Sequence, residues 1–144
     1  MTPKATIEIG KTAHVTAVVQ RSDTAQVLST PTGDSFPEVF ATSRMIALME
    51  LAAARVMRPL LQEGQLSVGV GVNVKHTAAT PVGSEVRAVA TYLGEEGKLF
   101  RFKVEAFDEA GSIGEGEHLR AIIATDRLLA GAAKRSASWN REDT

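Results

Sequence analysis

The sequence predicts an α+β fold in which one long helix lies on an antiparallel sheet of about five strands. Three observations lead there. A single segment, residues 39–61, has helical periodicity. Most of the rest alternates apolar and polar residues. The later alternating segments are joined by short links of turn-forming composition, TPVG, GEEG and DEAG.

In chain order, residues 13–19 form the first expected strand. Residues 20–34 follow as a polar loop with Pro31 and Gly33, long enough to act as a lid rather than a plain connector. The helical segment reads VFATSRMIALMELAAARVMRPLL, rich in the helix formers Ala, Leu and Met. At about 100° per residue, Arg44, Arg55 and Arg58 fall within about 60° of one another and mark its solvated stripe. Pro59 ends the regular helix. At its start, Ser35 with Glu38 fits a capping box and Thr42 fits a simple cap; Thr42 is preferred, with 36–41 as a lead-in turn.

Four strands follow, at 66–77, 84–92, 99–107 and 112–125. In the first of these Leu66, Val68, Val70, Val72, Val74 and His76 share one face. The short links make neighbouring strands antiparallel hairpins. Residues 134–144 read as a loose polar tail. The chain thus divides into an N-terminal segment, 1–12, one domain, 13–126, and a C-terminal segment with the tail, 127–144. A single helix cannot cover both faces and both edges of such a sheet, so a twofold homodimer is expected.

The 144 residues fit one domain, and 44% apolar with 23% charged residues is ordinary for a globular chain. Sixteen Lys and Arg against seventeen Asp and Glu give a net charge of -1, which argues against a dedicated nucleic-acid binder. With no cysteine, covalent chemistry falls to oxygen or nitrogen groups. No uncharged apolar run of about 18 residues occurs, and the first residues lack a secretory stretch. A cytoplasmic protein with no membrane partner is the expectation.

Glu50 lies about 110° from the arginine stripe, and its neighbours three and four places away are Ala47, Ala53, Ile46 and Ala54, none of which can pair with it. Such a carboxylate is solvated, or paired to an Arg from elsewhere, or partly desolvated and therefore sharpened as a base or nucleophile. His76 ends a strand on the valine face. Alone it reads as a structural residue, but beside a buried carboxylate an imidazole can activate water or steady a nucleophile.

Thr42 caps the helix or presents a hydroxyl at its positive end, where an anionic intermediate is stabilised. If both are helical, Thr42 and Glu50 lie about 12 Å apart along the axis. A shared site then needs Thr42 outside the helix or residues from both subunits. Gly69, within a strand, marks a place where a backbone or ligand comes close, with its N–H free to meet a carbonyl oxygen. Arg120, with Lys75, Arg87, Arg101 and Lys103, supplies strand cations that form a solvated face or hold the phosphates of a nucleotide-like carrier. His14, His76 and His118 match no metal-ligand spacing, so no metal is expected.

Three strings, FPEVFATSRMIALMELA, VGVNVKHTAATPVGSEV and GEGEHLRAII, resemble the hotdog-fold thioesterases, the fluoroacetyl-CoA thioesterase family in particular. The resemblance covers residues 13–126 and implies a hotdog fold, a long central helix wrapped by an antiparallel sheet and paired as a homodimer. It implies a triad on Thr42, Glu50 and His76, a glycine near the substrate carbonyl on Gly69, and the last-strand arginine on Arg120. It also implies a hydrophobic lid that selects the acyl group. That lid falls on residues 20–36, where Val27, Leu28 and Phe36 are the apolar candidates in a largely polar stretch, and Phe36 is taken as substrate-binding.

The activity so implied is hydrolysis of short-chain acyl-CoA thioesters to free acid and CoA, with no cofactor. Glu50 acts as nucleophile or general base, His76 assists proton movement and Thr42 orients the reacting group. A hotdog enoyl-CoA hydratase or dehydratase and a non-catalytic acyl-CoA binding module are the alternatives, and the acyl group stays open.

Overall fold

A computed structural model describes residues 5–139. Its elements are β1 (Thr12–Val18), α1 (Thr42–Met57), β2 (Gln65–His76), β3 (Glu85–Glu96), β4 (Leu99–Asp108), β5 (Gly111–Ala124) and α2 (Thr125–Ala137). The strands make one five-stranded antiparallel sheet in the order β1-β3-β4-β5-β2. The sheet curls around α1, which touches every strand. This is the expected α+β hotdog arrangement.

The core follows from two periodicities. Along α1, Met45, Met49, Ala52, Ala53, Val56 and Met57 fall on one side and are buried. Alternate residues of β3 (Val86, Ala88, Ala90, Tyr92) and β4 (Phe102, Val104, Ala106) meet them. Alanines in both layers let helix and sheet approach closely, while Phe102 and the methionines fill the remaining volume. Arg44, Arg55 and Arg58 lie exposed on the opposite stripe.

Several expectations need correction. β3–β4 and β4–β5 are hairpins, but β2 and β3 do not pair: β2 lies at the far edge, against β5. Alternation tells which face a residue takes and is silent about the neighbouring strand. The β2–β3 link instead crosses the curled sheet, tied by the Phe40 N–H to the Thr80 carbonyl and by the Gly83 N–H to the Val19 carbonyl, both at 2.9 Å.

Thr42 is not the helix cap. Ala41 occupies that place with no side-chain capping bond, and Thr42 is the first helical residue. The helix gives way to a 3-10 turn, Arg58–Leu60, which contains Pro59. The 20–34 loop contains two more such turns, Arg21–Asp23 and Ala25–Leu28. Lys134 to Ala137, expected as loose tail, belong to α2, while residues 140–144 lie outside the described residues.

The valine face of β2 is also not continuous. Its register against β5 shifts between Gly69 and Gly71, so Val70 is the extra residue of a bulge. Leu66, Val70 and Val72 remain 52%, 51% and 47% exposed. No helix among the described residues is long and apolar enough to cross a membrane.

Candidate active site

The sequence-predicted residues gather into two clusters. The first stands at the start of α1, where Thr42 Oγ1 lies 2.7 Å from Nδ1 of His76, the last residue of β2. A hydroxyl that caps nothing is thereby held at the positive end of the helix. Phe40 packs edge-on to the imidazole, with ring centroids 6.4 Å apart. His76 Nε2 is buried and has no hydrogen-bond partner among the described residues. Burial holds the His76 pKa below the ordinary histidine value, partly offset by the Ala78 backbone, so the ring is neutral near pH 7 and able to take a proton. A cleft of about 370 Å³ opens beside Ala25, Phe40, Thr42, His76 and Thr77.

The second cluster forms where the middle of α1 crosses β2 and β5. Glu50, its side chain 43% exposed, faces Arg120, whose Nη1 lies 3.4 Å from Glu50 Oε1. Of the readings open for Glu50, the structure has the one with a partner from elsewhere: Glu50 is half of an ion pair with an arginine from a distant strand. Arg120 is only 6% exposed. Its Nε donates to Ser67 Oγ at 3.1 Å and its Nη2 to the Ser67 carbonyl at 3.0 Å. It does not belong to a solvated cationic face; its donors point into the protein. Burial lowers its pKa and Glu50 opposes the shift, and the guanidinium stays charged.

All the polar contacts of Glu50 fall on Oε1, which leaves Oε2 without a hydrogen-bond partner among the described residues. Gly69 explains how the carboxylate fits there. A Cβ at this position would overlap Glu50 Oε1 and crowd His118, so the missing side chain is the seat on which the carboxylate rests.

One chain does not unite the two clusters. Thr42 and Glu50 are both helical and about 12 Å apart along the axis. Gly69 and His76 lie roughly 20 Å apart along β2 at about 3.3 Å per residue. Phe36 is 44% exposed, its N–H bonded to Ser29 Oγ at 3.0 Å, and it does not line the Thr42–His76 cleft. Val27 and Leu28 are exposed. Of the other strand cations, Arg101 and Lys103 pair with surface carboxylates. Among the described residues no group of three His, Asp or Glu side chains is placed to hold a metal ion.

Sequence reasoning missed Ser67 and His118. The signal lay in the strand period of two, which puts His118 on the face of Arg120, and Ser67 on that of Gly69.

Residues 19–126 match the model of the fluoroacetyl-CoA-specific thioesterase (FlK) family. Over 95 residues the chain is 44% identical to the fluoroacetyl-CoA thioesterase of Streptantibioticus cattleyicolor, covering 66% of this chain and 68% of that one. It superposes on a mutant of the fluoroacetyl-CoA-specific thioesterase FlK with a TM-score of 0.85 at 36% identity, over 92% of this chain and 99% of that. The FlK mutant bound to fluoroacetate and CoA gives 0.79 at 37% identity, over 85% and 99%. A thioesterase-superfamily protein of Thermus thermophilus gives 0.82 at 31%, over 96% and 98%. The chain belongs to the fluoroacetyl-CoA-specific thioesterase family and is an acyl-CoA thioesterase.

Proposed function

We propose that the protein works as a homodimer on short-chain acyl-CoA esters, with Glu50 as the reacting group and with Thr42 and His76 supplied by the partner subunit. The observation that carries this reading is the placing of Glu50: one oxygen is fixed by Arg120 over Gly69 and the other is free. Oε2 adds to the thioester carbonyl and the C–S bond breaks, giving an acyl–Glu50 anhydride and CoA thiolate. Backbone N–H groups, that of Gly69 among them, receive the developing oxyanion. Neutral His76 takes a proton from the water that opens the anhydride and passes it to the thiolate, and the second proton leaves with solvent. Acid and thiol depart and the carboxylate is restored.

The twofold arrangement is supported by β2 itself, an edge strand with exposed Val70 and Val72. In the proposed dimer two such edges pair antiparallel, so that the Gly69 end of one β2 runs beside the His76 end of the other. Thiol release from a panel of acyl-CoA esters tests the activity. Crotonyl-CoA in the panel losing its enoyl absorbance without free thiol would identify a hydratase instead.

Mixing two inactive variants, Glu50→Gln and His76→Ala, tests the sharing of the site. After subunit exchange, half of the dimers are mixed, and each mixed dimer carries one site with both residues intact, so about a quarter of wild-type activity is expected to return. A mixture as inactive as its parents would place all the working residues of a site in one subunit.

A further inference from the structure

We propose that His118 is a positioning residue, a fixed neutral acceptor that spans the β2 bulge and the Arg120 guanidinium and so holds the Glu50 carboxylate on its glycine seat. This rests on the reading of Glu50 as the reacting group.

His118 is 3% exposed, and both of its ring nitrogens are committed. Nδ1 lies 2.7 Å from the carbonyl oxygen of Gly71. A carbonyl only accepts, so Nδ1 carries the proton. Nε2 lies 3.1 Å from Arg120 Nη1. A guanidinium only donates, so Nε2 presents its lone pair. The ring is therefore neutral, in the Nδ1–H form. Its approach to Glu50 Oε1, 3.8 Å from Nε2, is not an ion pair.

The ionisable groups facing the ring are Arg120 from its own strand and Glu50 from α1. From β2 it meets the Gly71 carbonyl, and its cross-strand neighbours are Val72 and Phe102. Burial, the largest influence, and Arg120 keep its pKa below the ordinary histidine value, against the raising effects of Gly71 and Glu50.

The geometry makes the ring one of three fixed points for the guanidinium. Ser67 takes Nε and Nη2, and the two N–H bonds of Nη1 divide between His118 Nε2 and Glu50 Oε1. Without the Nε2 lone pair, one buried N–H of Arg120 loses its acceptor. The guanidinium then shifts, and the carboxylate moves with it. At its other end the ring holds the carbonyl of Gly71, the first residue back in register after the bulge, two positions from the seat at Gly69. One side chain therefore sets both the carboxylate and the strand beneath it.

Ring ¹⁵N–¹H correlation spectra of the wild-type protein, taken between about pH 6 and 8, are expected to show His118 protonated on Nδ1 and bare on Nε2. An Nε2–H tautomer, or a charged ring at pH 7, would overturn the proposal whether or not any variant folds. His118→Phe keeps the bulk and removes both bonds. It is expected to lower kcat by about 100-fold, the scale of a misplaced reacting group, with KM unchanged. His118→Gln, whose amide oxygen reaches the Nε2 position, is expected to recover part of that loss. A purely structural histidine would instead lower the melting temperature of both variants and leave kcat of the folded enzyme intact.

Glu50→Gln measured alongside separates the two readings. If it is inactive while His118→Phe turns over normally, the His118 assignment alone falls. If Glu50→Gln keeps its turnover, both fall.

Discussion

Glu50→Gln is expected to lower turnover by at least about 100-fold, the lower end for losing an acid, base or nucleophile, and to leave the protein folded. The amide matches the carboxylate in shape, and its oxygen still accepts from Arg120 Nη1 at the Oε1 position. What disappears is the charge, and with it the ability of the free oxygen to attack or to take a proton. Retention of more than half the activity would remove Glu50 from the mechanism.

Limiting-turnover hydrolysis in oxygen-18 water then separates the two roles of the carboxylate. If Glu50 forms an anhydride that water opens at the Glu50 carbon, the first acid released carries an unlabelled oxygen from the enzyme and the label enters the side chain. Direct attack by water labels the product and leaves Glu50 unlabelled. Label in Glu50 excludes simple general-base catalysis.

His76→Ala is expected to cost a similar factor, about 100-fold in turnover, and to change the pH profile. In the proposed mechanism the working form of His76 is neutral, and burial lowers its pKa. Wild-type activity should therefore persist below about pH 6.5, the ordinary histidine value, and fall as the pH drops through the lowered folded value. The acid limb belonging to the ring should be absent from whatever activity the variant keeps; the same limb in the variant would assign it to another group.

Stability should follow the same sign. The unfolded chain binds more protons than the folded one below about pH 6.5, because both His76 and His118 are held below that value. Melting temperature is thus full above the unfolded value and declines as pH falls toward the folded ones. A melting temperature flat from pH 7 to about pH 5 would contradict the shielding of both rings.

The helix and the alternation of the strands could be read from the sequence because each rests on local periodicity: the Ala, Leu and Met run with its arginine stripe, and the apolar positions of residues 84–92 and 99–107. Strand order could not be read that way. Nothing in the alternation of β2 distinguishes β3 from β5 as its neighbour, and the short TPVG link favours the wrong one until the curl of the sheet is known. Thr42, Glu50 and His76 stood out by their chemistry and were joined into a triad by the family resemblance, while their grouping into two clusters depends on the packing of α1 against β2 and β5.

Arg120 was the hardest to read. An arginine beside leucine on a strand looks like a solvated cation, and only the helix laid across it shows that its partner is Glu50. His118 was within reach, since two polar residues at the strand period on an inward face need a polar counterpart. The bulge at Val70 left only a Gly-Val-Gly trace, equally consistent with a ligand approach.

The order of the strands also sets when the site can exist. Among the described residues β2 pairs only with β5, so it has no partner strand until the last strand is in place. The Glu50–Arg120 contact closes a loop of 70 residues. Closing so long a loop costs chain entropy that only late contacts repay, and such topologies fold slowly. Without that contact Glu50 stands on an alanine-rich helix with no cation beside it, whereas the hairpins β3–β4 and β4–β5 rest on contacts local in sequence. Docking of β2 on β5 thus brings Gly69 under the Glu50 carboxylate and forms the sheet edge in the same step, so that in the proposed dimer a chain able to pair through β2 is already one whose Glu50 is in position.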